Sequence, residues 1–435
     1  MSSEVTLDKI VSLCKRKGFV YQSAEIYGGL NGVYDFGHLG VLLKNNIRDA
    51  WKKSVSAIDA GNILFLEGAL LAPESVWKAS GHVESFHDPM VDCLNCKYRY
   101  RADHIDLEKS CPHCGKKQWT DIKQFNMMFK TELGAAAETT SDVYLRPETA
   151  QSIFTNFKNV ISTNRVKIPF GIAQIGKAFR NEINPKQFLF RMREFEQMEI
   201  EWFCKHQNAD KYFDFWLENR KNFYKKLGIT SEKIRLRPHA KDELAHYSTK
   251  CSDVEYHFPF GWQELEGIAH RGNYDLSQHT THSGKELSVF DEETKKSYIP
   301  DVIECSVGVD RLFLTTLFDA YQEDVIDGEQ RVVLKLPAAI APIKAAFLPL
   351  TKKQLEQTEK IFKQIKKIEP HITFDVSGSI GKRYRRQDEI GTPLCFTYDF
   401  DSDTDNMVTV RNRDTTKQER IAIENIAAYM EKMLS

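Results

Sequence analysis

The sequence predicts a multidomain protein that combines α+β and α/β parts and is built around an antiparallel β-hairpin. At 435 residues the chain is too long for one ordinary hydrophobic core, so two or three domains are expected. Two strand patterns within residues 170–203, joined by a polar loop, predict the hairpin. Strand patterns that alternate with helical patterns after residue 331 predict a separate small α/β domain.

Composition narrows the classes of partner. The chain has 60 Lys and Arg against 61 Asp and Glu, so any contact with nucleic acid must come from local patches. The first 19 residues lack the apolar run of a signal peptide, and no stretch has the length and hydrophobicity of a membrane span. Nine cysteines without an export signal favour reduced thiols and metal binding over disulfides. We therefore expect a cytoplasmic protein with no membrane partner.

The chain begins with a short amphipathic helix that ends at Gly18. Gly32 and Gly37 have the spacing of a phosphate-binding loop, but His-Leu follows where Lys and Ser or Thr are required, which excludes that motif. Helical spacing of apolar residues then predicts a helix over 39–54, and a strand is expected over 62–71. The helix could belong to the core or to a dimer seam, and periodicity alone favours the core.

Four cysteines have the spacing of a zinc ribbon. They form two knuckles, Cys93-x-x-Cys96 and Cys111-x-x-Cys114, separated by residues 97–110. Two such pairs place four thiolates around one tetrahedral zinc ion, and a site with all four positions filled is usually structural. The alternative is four unrelated buried thiols.

Two further helices are expected on either side of the hairpin. Pro147 marks a helix start and places Glu148 in the first turn, where a carboxylate favours the helix dipole. Helical spacing predicts the second helix over Asn208–Leu227, and about thirty polar, irregular residues are expected after it.

The hairpin has an unusual polar face. Period two places Arg180 on one face of the first strand, and Phe195 and Glu199 on the matching face of the returning strand, across the loop 181–193. An arginine suits phosphate oxygens and an aromatic ring suits a purine base, so the face predicts a nucleotide site. The alternative is an ordinary amphipathic hairpin with solvated charges.

Two later strands carry further polar residues. A strand that begins at Phe260 should place Trp262, Glu264, Glu266 and Ile268 on one face, where the carboxylates need a metal or an ammonium partner unless they are solvent-exposed.

The second of these strands, Tyr298–Gly308, runs straight into a helix. Glu304 and Ser306 share a face of this strand, and Arg311 lies in the first turn of the helix. Because an arginine there opposes the helix dipole, we interpret Arg311 as serving an anionic ligand.

The C-terminal segment carries a basic cluster. Strands are expected over 332–336, 345–350, 371–376, 393–398 and 407–411, and helices over 351–368 and 417–434. A loop over 378–391 holds Lys382, Arg383, Arg385 and Arg386 around Tyr384. Basic residues interleaved with an aromatic suit RNA, although a solvated loop explains them nearly as well.

Nearly the whole chain resembles the dimeric glycyl-tRNA synthetases, a family of class II aminoacyl-tRNA synthetases. Phe179-Arg180-Asn181-Glu182, with Arg191-x-x-x-Phe195, resembles motif 2 of the class, and Gly308-Val309-Asp310-Arg311 resembles motif 3. The glycyl family is indicated by LRPETAQ at 145–151, REFEQMEIEWF at 193–203, ELEGIAHRGNYDL at 264–276 and the ribbon followed by QFNMMFKT. Two positions depart from the family pattern, where Cys305 and His38 replace prolines.

The resemblance implies a class II catalytic domain over residues 1–330, with an antiparallel sheet flanked by helices. A zinc ribbon would be inserted at about 90–120, and a helical or irregular insertion at about 205–258. An α/β anticodon-binding domain would cover 331–435. The family also implies a homodimer, with the helix at 39–54 near the seam.

The resemblance also implies roles for individual residues. Arg180 would hold the α-phosphate of ATP, Phe195 would stack on adenine, and Arg311 would cover the other adenine face. With Glu182, the two arginines form the implied catalytic set. The ATP site, with Mg²⁺, would be completed by Asn181, Glu182, Phe190, Arg191, Glu264, Leu265, Gly308 and Asp310. The glycine site would comprise Arg101, Glu148, Phe195, Glu196, Gln197, Met198, Glu199, Glu304, Ser306 and Gly308.

The implied reaction is the ATP-dependent activation of glycine to glycyl-adenylate and its transfer to the 3′ end of tRNA(Gly), with Zn²⁺ as a structural ion. Two alternatives stay open: a non-catalytic synthetase-like nucleic-acid-binding subunit, and a sister class II enzyme for another amino acid. Because Arg180, Glu182 and Arg311 are all present, the sequence favours an enzyme.

Overall fold

A computed structural model describes residues 5–58, 61–134, 141–245, 247–326 and 328–434. The helices are α1 (Leu7–Lys17), α2 (His38–Ser56), α3 (Glu74–Ala79), α4 (His82–Ser85), α5 (Ala150–Thr155), α6 (Phe157–Asn164), α7 (Ala209–Lys226), α8 (Tyr274–Ser283), α9 (Val309–Ala320), α10 (Leu355–Ile365), α11 (Ile380–Ile390), α12 (Ser402–Asp405) and α13 (Ile426–Leu434).

The strands of the N-terminal part are β1 (Val20–Gln22), β2 (Tyr34–Phe36), β3 (Asn62–Phe65), β4 (Leu71–Pro73), β5 (His87–Asp92), β6 (Arg99–Arg101), β7 (Lys123–Asn126), β8 (Lys130–Leu133), β9 (Ser141–Leu145), β10 (Phe170–Phe179), β11 (Glu194–Cys204), β12 (Ile234–Pro238), β13 (Lys250–Phe258), β14 (Gly261–Gly272), β15 (Val289–Asp291), β16 (Lys296–Tyr298) and β17 (Asp301–Gly308). Those that follow are β18 (Tyr321–Ile326), β19 (Glu329–Leu334), β20 (Ala345–Pro349), β21 (Ile372–Phe374), β22 (Leu394–Tyr398), β23 (Met407–Asn412) and β24 (Gln418–Ala422).

A seven-stranded sheet in the order β12-β13-β14-β17-β11-β10-β3 forms the centre of the molecule. Its neighbouring strands are antiparallel except β3, which runs parallel to β10. The predicted hairpin is confirmed as β10 and β11, and the predicted strand before Arg311 as β17. One face of the sheet is apolar, with Met198, Ile200 and Trp202 fully buried among residues of α7 and α9. The opposite face carries the polar residues of the hairpin.

A second sheet forms the C-terminal part, in the order β21-β20-β22-β23-β24. β20, β21 and β22 are parallel, whereas β23 and β24 are antiparallel to their neighbours. The sheet has its own hydrophobic cluster around Phe347 and Phe396. The expected boundary between residues 330 and 331 falls inside β19, which pairs with β18, so the second sheet begins after this hairpin.

Several local predictions for the N-terminal part are wrong. The run 62–71 is not one strand, because β3 joins the central sheet whereas β4 pairs with β9. The helix expected from Pro147 begins only at Ala150, so Glu148 precedes it. The residues after α7 are not all irregular, because β12 and β13 extend the central sheet.

A bulge also corrects the predicted face of β14. Glu264 pairs with Glu255 and Glu266 with Val254, which leaves Leu265 as an extra residue. Leu265 and Glu266 are therefore both buried on the core side, and Glu264 and Gly267 face the other way.

Two predictions for the C-terminal part are also wrong. The segment 378–391 is largely the helix α11 instead of a loop. The final helix does not begin at residue 417, because β24 comes first and α13 begins at Ile426. Across the described ranges, no helix is both long and apolar enough to span a membrane.

A buried ion pair attaches α7 to the central sheet and gives a prediction about stability. Arg220 Nε donates to Glu266 Oε1 at 2.7 Å, and both side chains are 0% exposed. Arg220→Met should lower the free energy of unfolding by about 3–5 kcal/mol, because Glu266 would lose its cation while remaining buried. Urea unfolding followed by circular dichroism measures this difference.

The neighbouring Lys221 provides the control, because its side chain is 52% exposed. Lys221→Met should change the free energy of unfolding by less than about 0.5 kcal/mol. A loss for Arg220→Met as small as that of the control would show that the pair does not support the fold.

Candidate active site

A cavity of about 340 Å³ opens on the polar face of the central sheet. It lies where β11, β14 and β17 present side chains, between the loop after β10 and the start of α9. Of the residues implied for ATP, it is lined by Arg180, Glu182, Phe190, Arg191, Phe195, Glu264, Gly308, Asp310 and Arg311. Of those implied for glycine, it is also lined by Glu148, Gln197, Glu199, Glu304 and Ser306.

Five of the implied residues do not line this cavity. Met198 and Leu265 lie on the apolar face of the sheet, in the main hydrophobic cluster. Glu196 faces α2, where it pairs with Lys44 at 3.1 Å. The remaining two are Asn181 and Arg101, described next.

Asn181 and Arg101 both belong to the region around the ribbon. The backbone N–H of Asn181 donates to Met127 O at 2.7 Å, so this residue joins the hairpin loop to the segment after β7. Arg101 lies on β6 and pairs with Asp88 at 2.8 Å and Asp103 at 2.7 Å. A direct role for Arg101 in the glycine site therefore has no support in this geometry.

Arg180 is held at the end of β10. Its Nε donates to Pro147 O at 3.1 Å, and its guanidinium lies 5.3 Å from the ring centroid of Phe195 and 5.4 Å from that of Phe86. Nearby, burial raises the pKa of Glu182, although the charges of Arg191 and Arg180 oppose this. The other guanidinium N–H groups of Arg180 are not engaged by Pro147, so they can donate to an anion in the cavity.

Arg311 projects from the first turn of α9. Its guanidinium lies 4.4 Å from the ring centroid of Phe190, and its Nη1 donates to the carbonyl oxygen of Glu264 at 2.8 Å. The carboxylate of Glu264 is 3.5 Å from the same nitrogen. These contacts fix the planar cation against one wall of the cavity, where it can face an aromatic ligand or an anion.

Three glutamates form the acidic part of the cavity. Glu199 accepts a hydrogen bond from the Thr149 hydroxyl, and Glu304 accepts one from Arg271. Glu148 accepts a hydrogen bond from Gln151 at 3.0 Å, and one of its oxygens lies 3.3 Å from His82 Nε2. Carboxylates from three separate elements therefore converge, which suits a ligand with several N–H donors.

The environments of these glutamates move their pKa values apart. Burial, together with the charges of Glu304 and Glu148, raises the pKa of Glu199 to about 8. Burial also raises the pKa of Glu304, although Arg271 opposes the shift. Burial acts in the same direction on Glu148, but His82 and Arg271 outweigh it and hold that pKa far below its usual range. Near neutral pH the site therefore holds both protonated and ionised carboxyl groups.

Sequence reasoning missed the cation that balances these acids. Arg271, at the end of β14, is 2% exposed and donates from Nε to Asp275 at 2.8 Å as well as to Glu304. Its guanidinium lies 4.1 Å from the ring centroid of Tyr247, a second lining residue that the sequence did not indicate. Arg271 stands inside the segment HRGNYDL, and an arginine among acids in a strand could have marked it as a buried partner.

The four ribbon cysteines are brought together as predicted. Cys93 Sγ lies 3.6 Å from Cys114 Sγ, and Cys96 Sγ lies 3.8 Å from Cys111 Sγ. A tetrahedron of sulfurs with Zn–S bonds of about 2.3 Å has edges of about 3.8 Å, so the four thiols fit a zinc ion. Each knuckle closes with a backbone N–H donating at 2.8 Å to the carbonyl of its first cysteine.

The basic cluster of the C-terminal part is largely engaged within the fold. Arg383 is 4% exposed and donates to Pro349 O, so it is not placed to contact an RNA. Arg386 pairs with Asp375 at 2.6 Å, and Arg385 lies 3.7 Å from Asp388. Lys382, at the start of α11, is exposed.

Comparison with known proteins places the chain in a family. A family model described as an anticodon binding domain matches residues 338–433. The chain is 50% identical to the glycine–tRNA ligase of Caldanaerobacter subterraneus subsp. tengcongensis over the whole of both proteins. It is 51% identical to that of Treponema denticola, over 96% of this chain and 95% of the relative. It is 48% identical to that of Geobacillus thermodenitrificans, over 99% and 98%. With identity of this level over the full length, the chain belongs to the glycine–tRNA ligase family.

Proposed function

We propose that this protein activates glycine with ATP to form glycyl-adenylate and pyrophosphate, and then transfers the glycyl group to the 3′ end of tRNA(Gly). The observation that carries the proposal is that one cavity brings two arginines together with three acidic residues. The arginines are Arg180 and Arg311, and the acidic residues are Glu148, Glu199 and Glu304. Arginines suit the phosphates of ATP, and the carboxylates suit the ammonium group of an amino acid.

The experiment that tests the proposal is glycine-dependent exchange of labelled pyrophosphate into ATP, with a panel of the other amino acids. Exchange with glycine alone is expected. Exchange with a different amino acid would identify a sister class II enzyme, and no exchange with any amino acid would identify a non-catalytic relative.

In the activation step, a carboxylate oxygen of glycine attacks the α-phosphorus of ATP and pyrophosphate leaves, so no nucleophile from the protein is required. Arg180 contacts the α-phosphate, where negative charge develops in the transition state. Arg311 covers the adenine and reaches the γ-phosphate, and Phe195 stacks on the base. The contribution of the protein is therefore positioning and charge stabilisation.

Magnesium fits the acidic residues beside these arginines. Glu182 and Glu264 both line the cavity, and their carboxylate oxygens are ligands that Mg²⁺ accepts together with phosphate oxygens. When bound, Mg²⁺ would neutralise charge on the phosphates of ATP.

The glycine ammonium would be held by Glu148, Glu199 and Glu304, one acceptor for each N–H donor. Ser306 lies beside them, and its hydroxyl is 3.3 Å from Gln197 Nε2. A closely walled pocket rejects any amino acid with a larger side chain by steric exclusion, so no editing site is needed.

The remaining parts fit the same reaction. The anticodon binding domain over 338–433 is the part that would contact tRNA(Gly), with Lys382 as its exposed basic residue on α11. A homodimer is supported by large apolar side chains left exposed before and after α2, among them Ile26, Tyr27 and Phe65. The apolar stripe of α2 itself is used within the core, since Leu43, Ile47 and Trp51 are fully buried.

Arg180→Ala should reduce pyrophosphate exchange by about a hundredfold or more, because one charge-stabilising donor set is lost from the transition state. Lys177 is the matched control, because it lies on β10 three residues before Arg180 but pairs with Glu194 at the surface, 2.7 Å away. Lys177→Ala should retain exchange within about twofold. Near-normal exchange by Arg180→Ala would contradict the assigned role.

Glycine binding should release protons near neutral pH. Glu199 has a pKa of about 8 without ligand, so its carboxyl is largely protonated at pH 7, and a bound ammonium would lower that pKa and ionise it. Affinity should therefore rise as the pH increases from 6 to 8 and level off above the raised pKa. Titration calorimetry at pH 7 in buffers of different ionisation enthalpy measures the released protons.

Two variants make this measurement specific. Glu199→Gln should abolish the proton release, because an amide does not titrate in this range. Glu194→Gln should retain it, because Glu194 lies on the same strand but pairs with Lys177 outside the cavity. Unchanged release in Glu199→Gln would assign the proton to another group.

The purified protein should contain about one zinc ion per chain, bound by the four ribbon thiolates. Cys93→Ser should lose the metal and lower the melting temperature, because a structural zinc contributes directly to folding. Cys251 lies outside the ribbon, so Cys251→Ser should retain the ribbon zinc and the wild-type melting temperature. Elemental analysis provides the zinc count. A wild-type protein that contains no zinc and has the same melting temperature as Cys93→Ser would refute the site.

A further inference from the structure

Lys44, on α2, is a buried lysine outside the residues so far assigned to the reaction. It is 4% exposed, and its Nζ lies 2.5 Å from Asp310 Oδ1 and 3.1 Å from Glu196 Oε2. A lysine is rarely buried unless it is paired. Both of its carboxylate partners are nearly buried as well, so the three groups form one compact ionic cluster between α2, β11 and α9.

Asp310 is fixed from two sides in this cluster. Its Oδ1 contacts Lys44, and its Oδ2 accepts a hydrogen bond from the backbone N–H of Glu196 at 2.7 Å. Asp310 immediately precedes Arg311 in the first turn of α9. The orientation of this turn therefore depends on the carboxylate of Asp310 keeping both partners.

Two cations of α2 contact the carboxylates of this cluster. Arg48, one turn after Lys44, pairs with Glu196 and has a partly exposed side chain. Among the described residues, Lys44 is the only side-chain cation within 4.0 Å of the Asp310 carboxylate. Removing Lys44 would leave a buried carboxylate without its counter-charge directly beside Arg311, whereas removing Arg48 leaves the Asp310 contacts in place.

We propose that Lys44 is a positioning residue for ATP, which acts through Asp310 to hold Arg311 in place at the start of α9. Lys44 does not touch the substrate. The inference rests on the proposed function, because it takes Arg311 as a contact of ATP. Glu148 and Glu304 lie on other segments. Glu199 shares β11 with Glu196 but faces the opposite side of the strand, where it accepts a hydrogen bond from Thr149, so we expect the glycine site not to depend on this cluster.

The test is pyrophosphate exchange by Lys44→Met, with KM measured separately for ATP and for glycine. KM for ATP should rise about tenfold to a hundredfold, because small displacements of a positioning group cause losses of that size. KM for glycine should stay within about threefold of the wild-type value. Lys44→Arg keeps a cation next to Asp310 and should restore most of the affinity for ATP.

Arg48→Met is the matched control, because it removes an ion pair from the same helix and cluster without touching Asp310. It should leave KM for ATP unchanged. If Lys44→Met does not fold, as judged by circular dichroism, Lys44→Gln replaces it with the same expectation, because glutamine is uncharged and smaller.

Four outcomes would overturn the inference. In Lys44→Met they are an unchanged KM for ATP, an equal rise of KM for ATP and for glycine, or a fall in kcat alone accompanied by a lower melting temperature. The fourth is an equal rise of KM for ATP in Arg48→Met. Failure of the wild-type protein to exchange with glycine would instead refute the proposed function, so the two failures are distinguishable.

Discussion

The pairing register of β10, β11 and β17 decides which side chains meet in the cavity. Glu199 stands opposite Gln174 on one side and Ser306 on the other. Because side chains alternate along a strand, a slip of one residue would send Glu199 into the core and bring Met198 or Ile200 to the cavity. The apolar face prevents that slip, since its residues are packed in the main cluster. The hydrophobic core therefore specifies the chemistry on the opposite face of the same strands.

The acidic part of the site is less negative than its residues suggest. Glu201 follows Glu199 on the same face of β11, and its carboxyl is 0% exposed with no hydrogen-bond partner among the described residues. Burial and the charge of Glu304 keep its pKa well above the usual range, which favours the neutral form of this group. Arg271 compensates part of the rest through Glu304 and Asp275. Glu148, whose pKa is held far below its usual range, keeps negative charge in the cluster, which suits a cationic ligand.

Much of the site followed from patterns that depend on nearest neighbours in the sequence. The two-residue period of a strand was sufficient to predict that Arg180, Phe195 and Glu199 share a face, because β10 and β11 are regular and their other face is buried. A strand that runs directly into a helix was sufficient for Arg311. The predicted ribbon cysteines also come together, because their spacing alone brings two knuckles to one point.

The remainder depends on contacts that periodicity does not describe. The position of Arg271 follows from its pairing with Asp275 and Glu304, which are brought to it by folding. The basic residues of α11 appeared free for RNA, but Arg383 and Arg386 bond to the second sheet and its loops. Pro147 predicted a helix that includes Glu148. The helix begins only at Ala150, so Glu148 lies in the preceding loop and its carboxyl faces the cavity.

The bulge in β14 makes the length of one short segment critical. Leu265 and Glu266 both point to the core side, and Glu264 and Gly267 face the cavity on either side of them. Deleting one residue here would remove the bulge and restore simple alternation. Either the Glu264 contact with Arg311 or the Glu266 contact with Arg220 would then be lost. Relatives of this chain should therefore vary in length at the turn between β15 and β16 far more readily than between Trp262 and Gly267.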